Sequence, residues 1–303
     1  MQHPNQKNFN LFSFFFDKPL NSQNINVFSE VFLMVRATIV VENMCQQQGL
    51  LAEWGYSVFL ENPSGNMLWD TGGYLHVLEH NLRTLQLDID SIRHIGLSHS
   101  HFDHTAGLLD VLRLCPRAQL WGAKALTVPR WGDADHARNG GGGSIFENLN
   151  YTPVDPWREI MPEVIAFTVP QSARDPRFVN SKNMWEETPD GEIIPDTFQD
   201  DVSLLVKGDR GYSLVLGCAH AGLPNIMRYA AVTFDIDRFD TVMGGTHLVA
   251  ASDEDLPVWM DALQTIPVNR WRPNHCTGFK AAAHLAKLFD DVLWAGAGYR
   301  IEL

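Results

Sequence analysis

The chain of 303 residues is short of basic residues, of paired cysteines and of long apolar runs, and each shortage removes a class of function. Lys plus Arg number 23 against 36 Asp plus Glu, a formal net charge of −13. An acidic surface of this size repels phosphate backbones, so nucleic acid is not an expected partner. A small anionic substrate stays open, because bound cations reverse the local field. The four cysteines (Cys45, Cys115, Cys218 and Cys276) show no C-x-x-C spacing, so a disulfide framework is not expected and a reducing cytoplasm is the simpler setting. No apolar run approaches the roughly 20 residues that span a bilayer, so no membrane partner is expected. The run Gly140–Gly143 lacks the Lys and Ser/Thr of a phosphate-binding loop, and no repeat of fixed period is visible.

What is present is an ordinary globular composition, 45% hydrophobic and 19% charged, long enough for a large buried core. Phe9–Phe16 is apolar, but Asn10 and Ser13 interrupt it and Asp17, Lys18 and Pro19 follow. No cleavage signal is evident, so residues 1–33 read as a loosely ordered extension rather than a signal peptide. A single domain is expected over 34–303.

Short strands rich in β-branched and aromatic residues begin at Val35–Val41 and continue at Tyr56–Leu60 and Met67–Trp69. Helical spacing marks Tyr74–Leu85 and Thr105–Leu114, with the strand Ile92–Leu97 between them. Residues 124–200 are irregular, with several prolines and aromatics including Trp131, Tyr151, Trp157 and Trp185; they read as an insertion or lid. Beyond them come a hairpin, Ser203–Val206 with Tyr212–Leu216, and strands at Thr241–Met243, Arg270–Pro273 and Val292–Leu303. Helices are expected at Pro224–Val232, Glu254–Ile266 and Phe279–Asp290. Strand runs precede helices in both halves, which implies an α/β (α+β) fold of two packed sheets with helices outside.

The chemistry concentrates in Ser98-His99-Ser100-His101-Phe102-Asp103-His104. Three imidazoles and a carboxylate this close would each need a polar partner if buried, and a divalent metal supplies them. Nitrogen and oxygen ligands suit Zn²⁺ first, with Mn or Fe as alternatives. Three further histidines follow strand ends. These are His220 in Gly-Cys-Ala-His-Ala-Gly, His247 in Gly-Gly-Thr-His-Leu and His275 in His-Cys-Thr-Gly. Histidines at the same end of three successive strands converge on one edge of a sheet.

The H-x-H-x-D-H motif from His99 to His104 resembles that of the metallo-β-lactamase superfamily. The segments Ala52–Ser57, Asp70-Thr71-Gly72, Gly217–Gly222, Gly244–Leu248 and His275–Gly278 are similar to one branch of it. That branch contains metal-dependent hydrolases and dihydropterin-methyl-aminobenzene-ribosyl-phosphate synthases of methanopterin synthesis. The resemblance covers roughly residues 34 to 303. It implies a four-layer αββα sandwich holding two divalent metal ions at one edge. His99, His101 and a third histidine would hold the first ion; Asp103, His104 and His275 would hold the second. The family's third histidine has no counterpart in Gln199-Asp200-Asp201, and His220 is taken as its substitute. The family's bridging aspartate is replaced by Cys218, either a thiolate ligand or a small buried residue. Trp54 stands where the branch has a histidine. Asp70 would support a ligand histidine by accepting its second N–H, or form a turn before Thr-Gly-Gly. His247 is a further ligand or substrate contact.

The expected activity is hydrolysis of an ester, phosphoester or related bond in a small molecule by metal-activated hydroxide, with Asp103 orienting the nucleophile. Condensation of a dihydropterin is the alternative transfer chemistry. A non-catalytic ligand-binding role on a degenerate metal fold is the alternative of another class. A homodimer is the default assembly.

Overall fold

Alternation along the first strand, broken by a register shift between Ile39 and Val41, decides which side each residue serves. In the computed structural model, which describes residues 34–132, 139–179 and 184–303, Ala37 and Ile39 of Arg36–Val41 enter one core cluster and Val40 and Val41 another. The extension read at 1–33 lies outside the described residues. The same division runs through the neighbouring strands: Val58, Leu60, Met67 and Trp69 face the first cluster, while Phe59, Leu68 and Ile95 face the second.

That first cluster is the interior between two sheets. One is seven-stranded, in the order Arg300–Glu302, Arg36–Val41, Ser57–Glu61, Asn66–Trp69, Ile92–Gly96, Gln119–Ala123 and Thr152–Val154. The other is six-stranded, in the order Val268–Pro273, Phe239–Gly244, Gly211–Val215, Val202–Gly208, Val164–Thr168 and Trp157–Met161. Val164, Ala166, Leu204, Val206, Val215 and Met243 supply the second sheet's inner face. Helices Leu75–Thr84 and Leu108–Leu114 cover the outer face of the first sheet through Val77, Leu78, Leu82, Leu108 and Val111. Leu223–Phe234, Asp255–Leu263 and Gly278–Leu288 cover that of the second, burying Ile226, Met227, Leu256, Trp259 and Leu285. Each fully buried side chain of this kind contributes roughly 1.5–3 kcal/mol. The layers are helix, sheet, sheet, helix, which is the αββα sandwich.

Parallel pairing matters most for function. Asn66–Trp69 runs parallel to Ile92–Gly96, and Gly211–Val215, Phe239–Gly244 and Val268–Pro273 run parallel to one another. Their C-terminal ends therefore open on one edge, where ligands of open α/β sheets bind.

Two elements differ from the sequence expectation. The helix read as Thr105–Leu114 is split into Phe102–Thr105 and Leu108–Leu114. Gly107 lies at the break, where a Cβ would stand 2.6 Å from the Thr71 carbonyl, so the chain bends to pass the turn after Asp70. The final strand, read as Val292–Leu303, is confined to Arg300–Glu302. Before it, Ala297 N–H donates to Met44 O and Gly298 N–H to Ile39 O, so the approach is a loop stitched to the first strand.

Residues 124–200 are shared among three sheets. Thr152–Val154 extends the first, and Trp157–Met161 with Val164–Thr168 extends the second. Arg130–Trp131, Asn139–Gly141, Trp185–Glu187 and Ile193–Pro195 make a separate four-stranded sheet. Among the described residues no helix is long and apolar enough to cross a membrane. All four cysteines are free thiols.

Candidate metal centre

Each candidate side chain leaves the end of a strand at the open edge. Asp70 follows Asn66–Trp69, and Ser98 and His99 follow Ile92–Gly96. His101 is the N-cap of the short helix that carries Asp103 and His104. Cys218 and His220 follow Gly211–Val215, His247 follows Phe239–Gly244, and His275 follows Val268–Pro273. Asp70, Ala219, His247 and His275 have φ of 59°, 56°, 53° and 49°, the left-handed region. Such positions cost non-glycine residues on the order of 1–3 kcal/mol each and cluster at functional sites.

The nitrogens are aimed by hydrogen bonds from beneath. Asp70 Oδ1 accepts Ser98 N–H at 2.7 Å, and Oδ2 accepts Ser98 Oγ–H at 2.7 Å. The single Ser98 hydroxyl proton is thereby used, so the 2.8 Å contact with His99 Nδ1 requires that nitrogen to donate. His104 Nδ1 donates to Asp70 Oδ2 at 2.7 Å, and His275 Nδ1 to Asn43 Oδ1 at 3.0 Å. In each of these three rings the Nε2 lone pair then points into the site. A Cβ on Gly217 would overlap Ser98 Oγ, so the second sheet can approach this support only through glycine.

Above it the ring Nε2 atoms face one another in pairs. His99 Nε2 lies 3.3 Å from His220 Nε2, and His104 Nε2 lies 3.1 Å from His275 Nε2. Asp103 Oδ2 stands 3.3 Å from His275 Nε2 and 3.7 Å from His104 Nε2. His101 packs its ring against His99 and His220, with centroids 4.6 and 4.7 Å apart, and its Nε2 faces Asp196 at 4.0 Å. Cys218 Sγ lies 3.2 Å from His104 Nε2 and falls within two compact donor groups, one with His99 and His220 and one with His104 and His275. His220 thus lies in one donor group with His99 and Cys218. Asp200, at the position without one, accepts Ser100 N–H at 2.8 Å and pairs with Arg130 at 3.0 Å.

Charge and burial favour neutral, lone-pair-bearing rings at His99, His101 and His220, while in the metal-free centre His104 holds a proton that a cation would displace. Burial and the neighbouring imidazoles hold His99 and His220 well below their ordinary value. Burial brings His101 down to about 4 against the pull of Asp200 and Asp103. His104 moves the other way, to about 9: burial opposes its charge, but Asp103 and Asp70 outweigh it. Asp103 is held well below the carboxylate range, because His104 and His275 overcome the effect of its burial. Buried imidazole nitrogens 3.1–3.3 Å apart need a proton or a cation between them, and this set of nitrogen and oxygen donors fits divalent metal.

Several contributors carried no local sequence signal. Glu42, buried at the end of the first strand, accepts His275 N–H at 2.7 Å, Met44 N–H at 2.8 Å and Trp294 Nε1–H at 3.3 Å. Asn43 and Arg130 also act from outside the motifs. An acidic residue closing the apolar run of Ala37–Val41 was the one available hint. A cavity of about 580 Å³ opens over the site, with His101, Asp103, Cys218, His220 and His275 in its floor and Trp54, Phe102, Trp131 and Met184 around it. His99 and His104 are buried beneath.

Two packed sheets flanked by helices, with these donors at one edge, make an αββα sandwich, and the family profile described as Metallo-beta-lactamase superfamily matches residues 55–225. The chain belongs to that superfamily. It is 25% identical over 260 residues to the 7,8-dihydropterin-6-methyl-4-(beta-D-ribofuranosyl)-aminobenzene-5'-phosphate synthase of Methanocaldococcus jannaschii, covering 79% of this chain and 86% of the relative. A second, uncharacterized protein of the same organism is 30% identical over 258 residues, covering 84% of this chain and 95% of the relative. Among solved structures, Tm1679, a metal-dependent hydrolase of the beta-lactamase superfamily, superposes with a TM-score of 0.74 at 25% identity, over 89% of this chain and 99% of its own. The metallo-beta-lactamase fold protein YhfI of Bacillus subtilis shares the fold at 12% identity, with a TM-score of 0.55 over 89% of this chain and 100% of its own.

Proposed function

We propose that the chain is a metal-dependent hydrolase of a small molecule, cleaving an ester, phosphoester or related bond. One observation supports this above others: two opposed imidazole pairs, His99 with His220 and His104 with His275, meet at the floor of a cavity with Cys218 between them. His99, His101 and His220 would hold one divalent ion, and Asp103, His104 and His275 a second, zinc being best suited and Mn or Fe alternatives. Such a pair, when bound, would activate water near neutral pH and polarise the electrophile. The protein's own residues do the rest. Asp103, beside both His104 and His275, orients the nucleophile. Asp70 and Ser98 fix the ligand tautomers, and Trp54 and Phe102 line one side of the cavity.

A second reading, transfer of a dihydropterin to an arene, draws on the name of the Methanocaldococcus relative and on the aromatic side chains Trp54, Phe102 and Trp131 around the cavity, which suit a flat ring. Elemental analysis of gently purified protein, with phosphodiester and ester assays, tests the hydrolase. The expected result is two or more equivalents of Zn, Mn or Fe, with turnover that a chelator removes and His101→Ala abolishes. Full turnover of metal-free protein would overturn the reading. Coupled product from a dihydropterin pyrophosphate, without hydrolysis, would favour transfer.

A further inference from the structure

His247 and Cys276 stand beside the centre without entering either imidazole pair. Cys218 Sγ, Cys276 Sγ and a His247 ring nitrogen lie within 4.8 Å of one another, and all three residues line the cavity. Both cysteines are buried. The loop after Phe239–Gly244 is wrapped around the Cys276 sulfur: His247 N–H donates to Sγ at 3.2 Å, and a Cβ on Gly245 would stand 2.5 Å from it. Holding that wrap places His247 in the left-handed region at φ 53°. Its Nδ1 is buried and makes no hydrogen bond. Two sulfurs and an imidazole within ligating reach of one another, on a ring whose buried Nδ1 has no hydrogen-bond partner and a backbone held in the left-handed region, call for a ligand.

We propose that Cys218, His247 and Cys276 form a third metal position, selective for soft cations and joined to the imidazole centre through the Cys218 sulfur. Two sulfurs and one nitrogen form a softer set than the imidazole and carboxylate donors next to it, and suit Zn²⁺ or Cd²⁺ over Mn²⁺ or Mg²⁺. Metal–sulfur bonds of about 2.3 Å and metal–nitrogen bonds of about 2.0 Å put donors of a tetrahedral ion about 3.5 Å apart. Small side-chain rotations close the group. Three protein ligands leave the fourth position facing the cavity, the arrangement of an exchangeable rather than a structural site. Binding displaces the thiol protons to solvent, leaves two thiolates on the ion and involves no redox change. The position stands independently of whether the imidazole centre hydrolyses or transfers.

The test is titration of metal-free full-length protein with Cd²⁺, following bound equivalents and thiolate-to-cadmium absorption in the ultraviolet. The wild type should saturate at about three equivalents, and Cys276→Ser at about two with roughly half the thiolate absorption. His247→Ala should also lose the third equivalent, and His247→Cys should regain it. If Cys276→Ser fails to fold, the His247 pair of variants decides. Saturation of the wild type at two equivalents, or absorption unchanged in Cys276→Ser, would overturn the proposal. A His99→Ala, His104→Ala double variant keeps the two questions separate: it should lose the imidazole centre and retain the Cys276-dependent equivalent.

Discussion

Asp70 Oδ2 accepts hydrogen bonds from both His104 Nδ1 and the Ser98 hydroxyl, each at 2.7 Å, and through Ser98 also fixes the ring of His99. One carboxylate oxygen therefore aims an imidazole in each of the two opposed pairs. Replacing it with Ala releases both tautomers at once. Asp70→Ala should weaken metal binding by about 10–100-fold, the usual effect of losing such a support. Competition with a chromophoric chelator measures this. Unchanged affinity would mean that the side chain serves only the turn before Thr71-Gly72.

His220 and Asp200 separate ligation from support. His220→Ala should lose one metal equivalent, as should His99→Ala, because the two rings face across 3.3 Å. Asp200→Ala should leave the stoichiometry intact but destabilise the fold by ~3 kcal/mol, since it strips a partner from buried Arg130 and an acceptor from Ser100 N–H. Metal content paired with a denaturation midpoint reads both. Loss of a metal equivalent in Asp200→Ala alone would reverse the assignment.

How far the sequence displayed this centre depends on distance along the chain. His99 to His104 was legible because its donors lie within one turn of chain, and His220 and His275 because each ends a recognisable strand. The layer order followed from the same strands and helices. Asn43 and Glu42 were illegible: they meet His275 across 232 and 233 residues, a contact set by how the first sheet lies on the second. Cys276 was hidden differently. It sits next to a conspicuous histidine, and only the loop carrying Gly245 and His247 gives its sulfur neighbours.

Glu42 accepts from His275, Met44 and Trp294, and although burial pushes its carboxyl up, these N–H donors oppose the shift. Gln has one acceptor oxygen in place of two, so in Glu42→Gln an amide NH₂ must face a backbone donor. The variant should lose about 1–3 kcal/mol of stability. It should also weaken metal at His104 and His275 more than at His99 and His220. Graded metal release during chelator titration would show this split; equal weakening of both would place Glu42 outside the support of His275.

Arg272 clamps Asp291 through two hydrogen bonds, 2.8 Å to Oδ1 and 3.1 Å to Oδ2, and ties the strand that delivers His275 to the loop beyond the last helix. The guanidinium holds the Asp291 carboxyl below its ordinary value. A carboxyl depressed in the folded state stabilises fully above its unfolded value near 3.9, and the stabilisation disappears as pH falls through the folded value. Asp291 is 43% exposed, so screening limits the effect to at most ~1 kcal/mol. The melting-temperature gap between wild type and Asp291→Asn should therefore be small and constant from neutral pH down to about 5, and then narrow. It should close once the wild-type carboxyl is protonated. A gap that persists undiminished in strong acid would show that the pair stabilises through shape rather than charge.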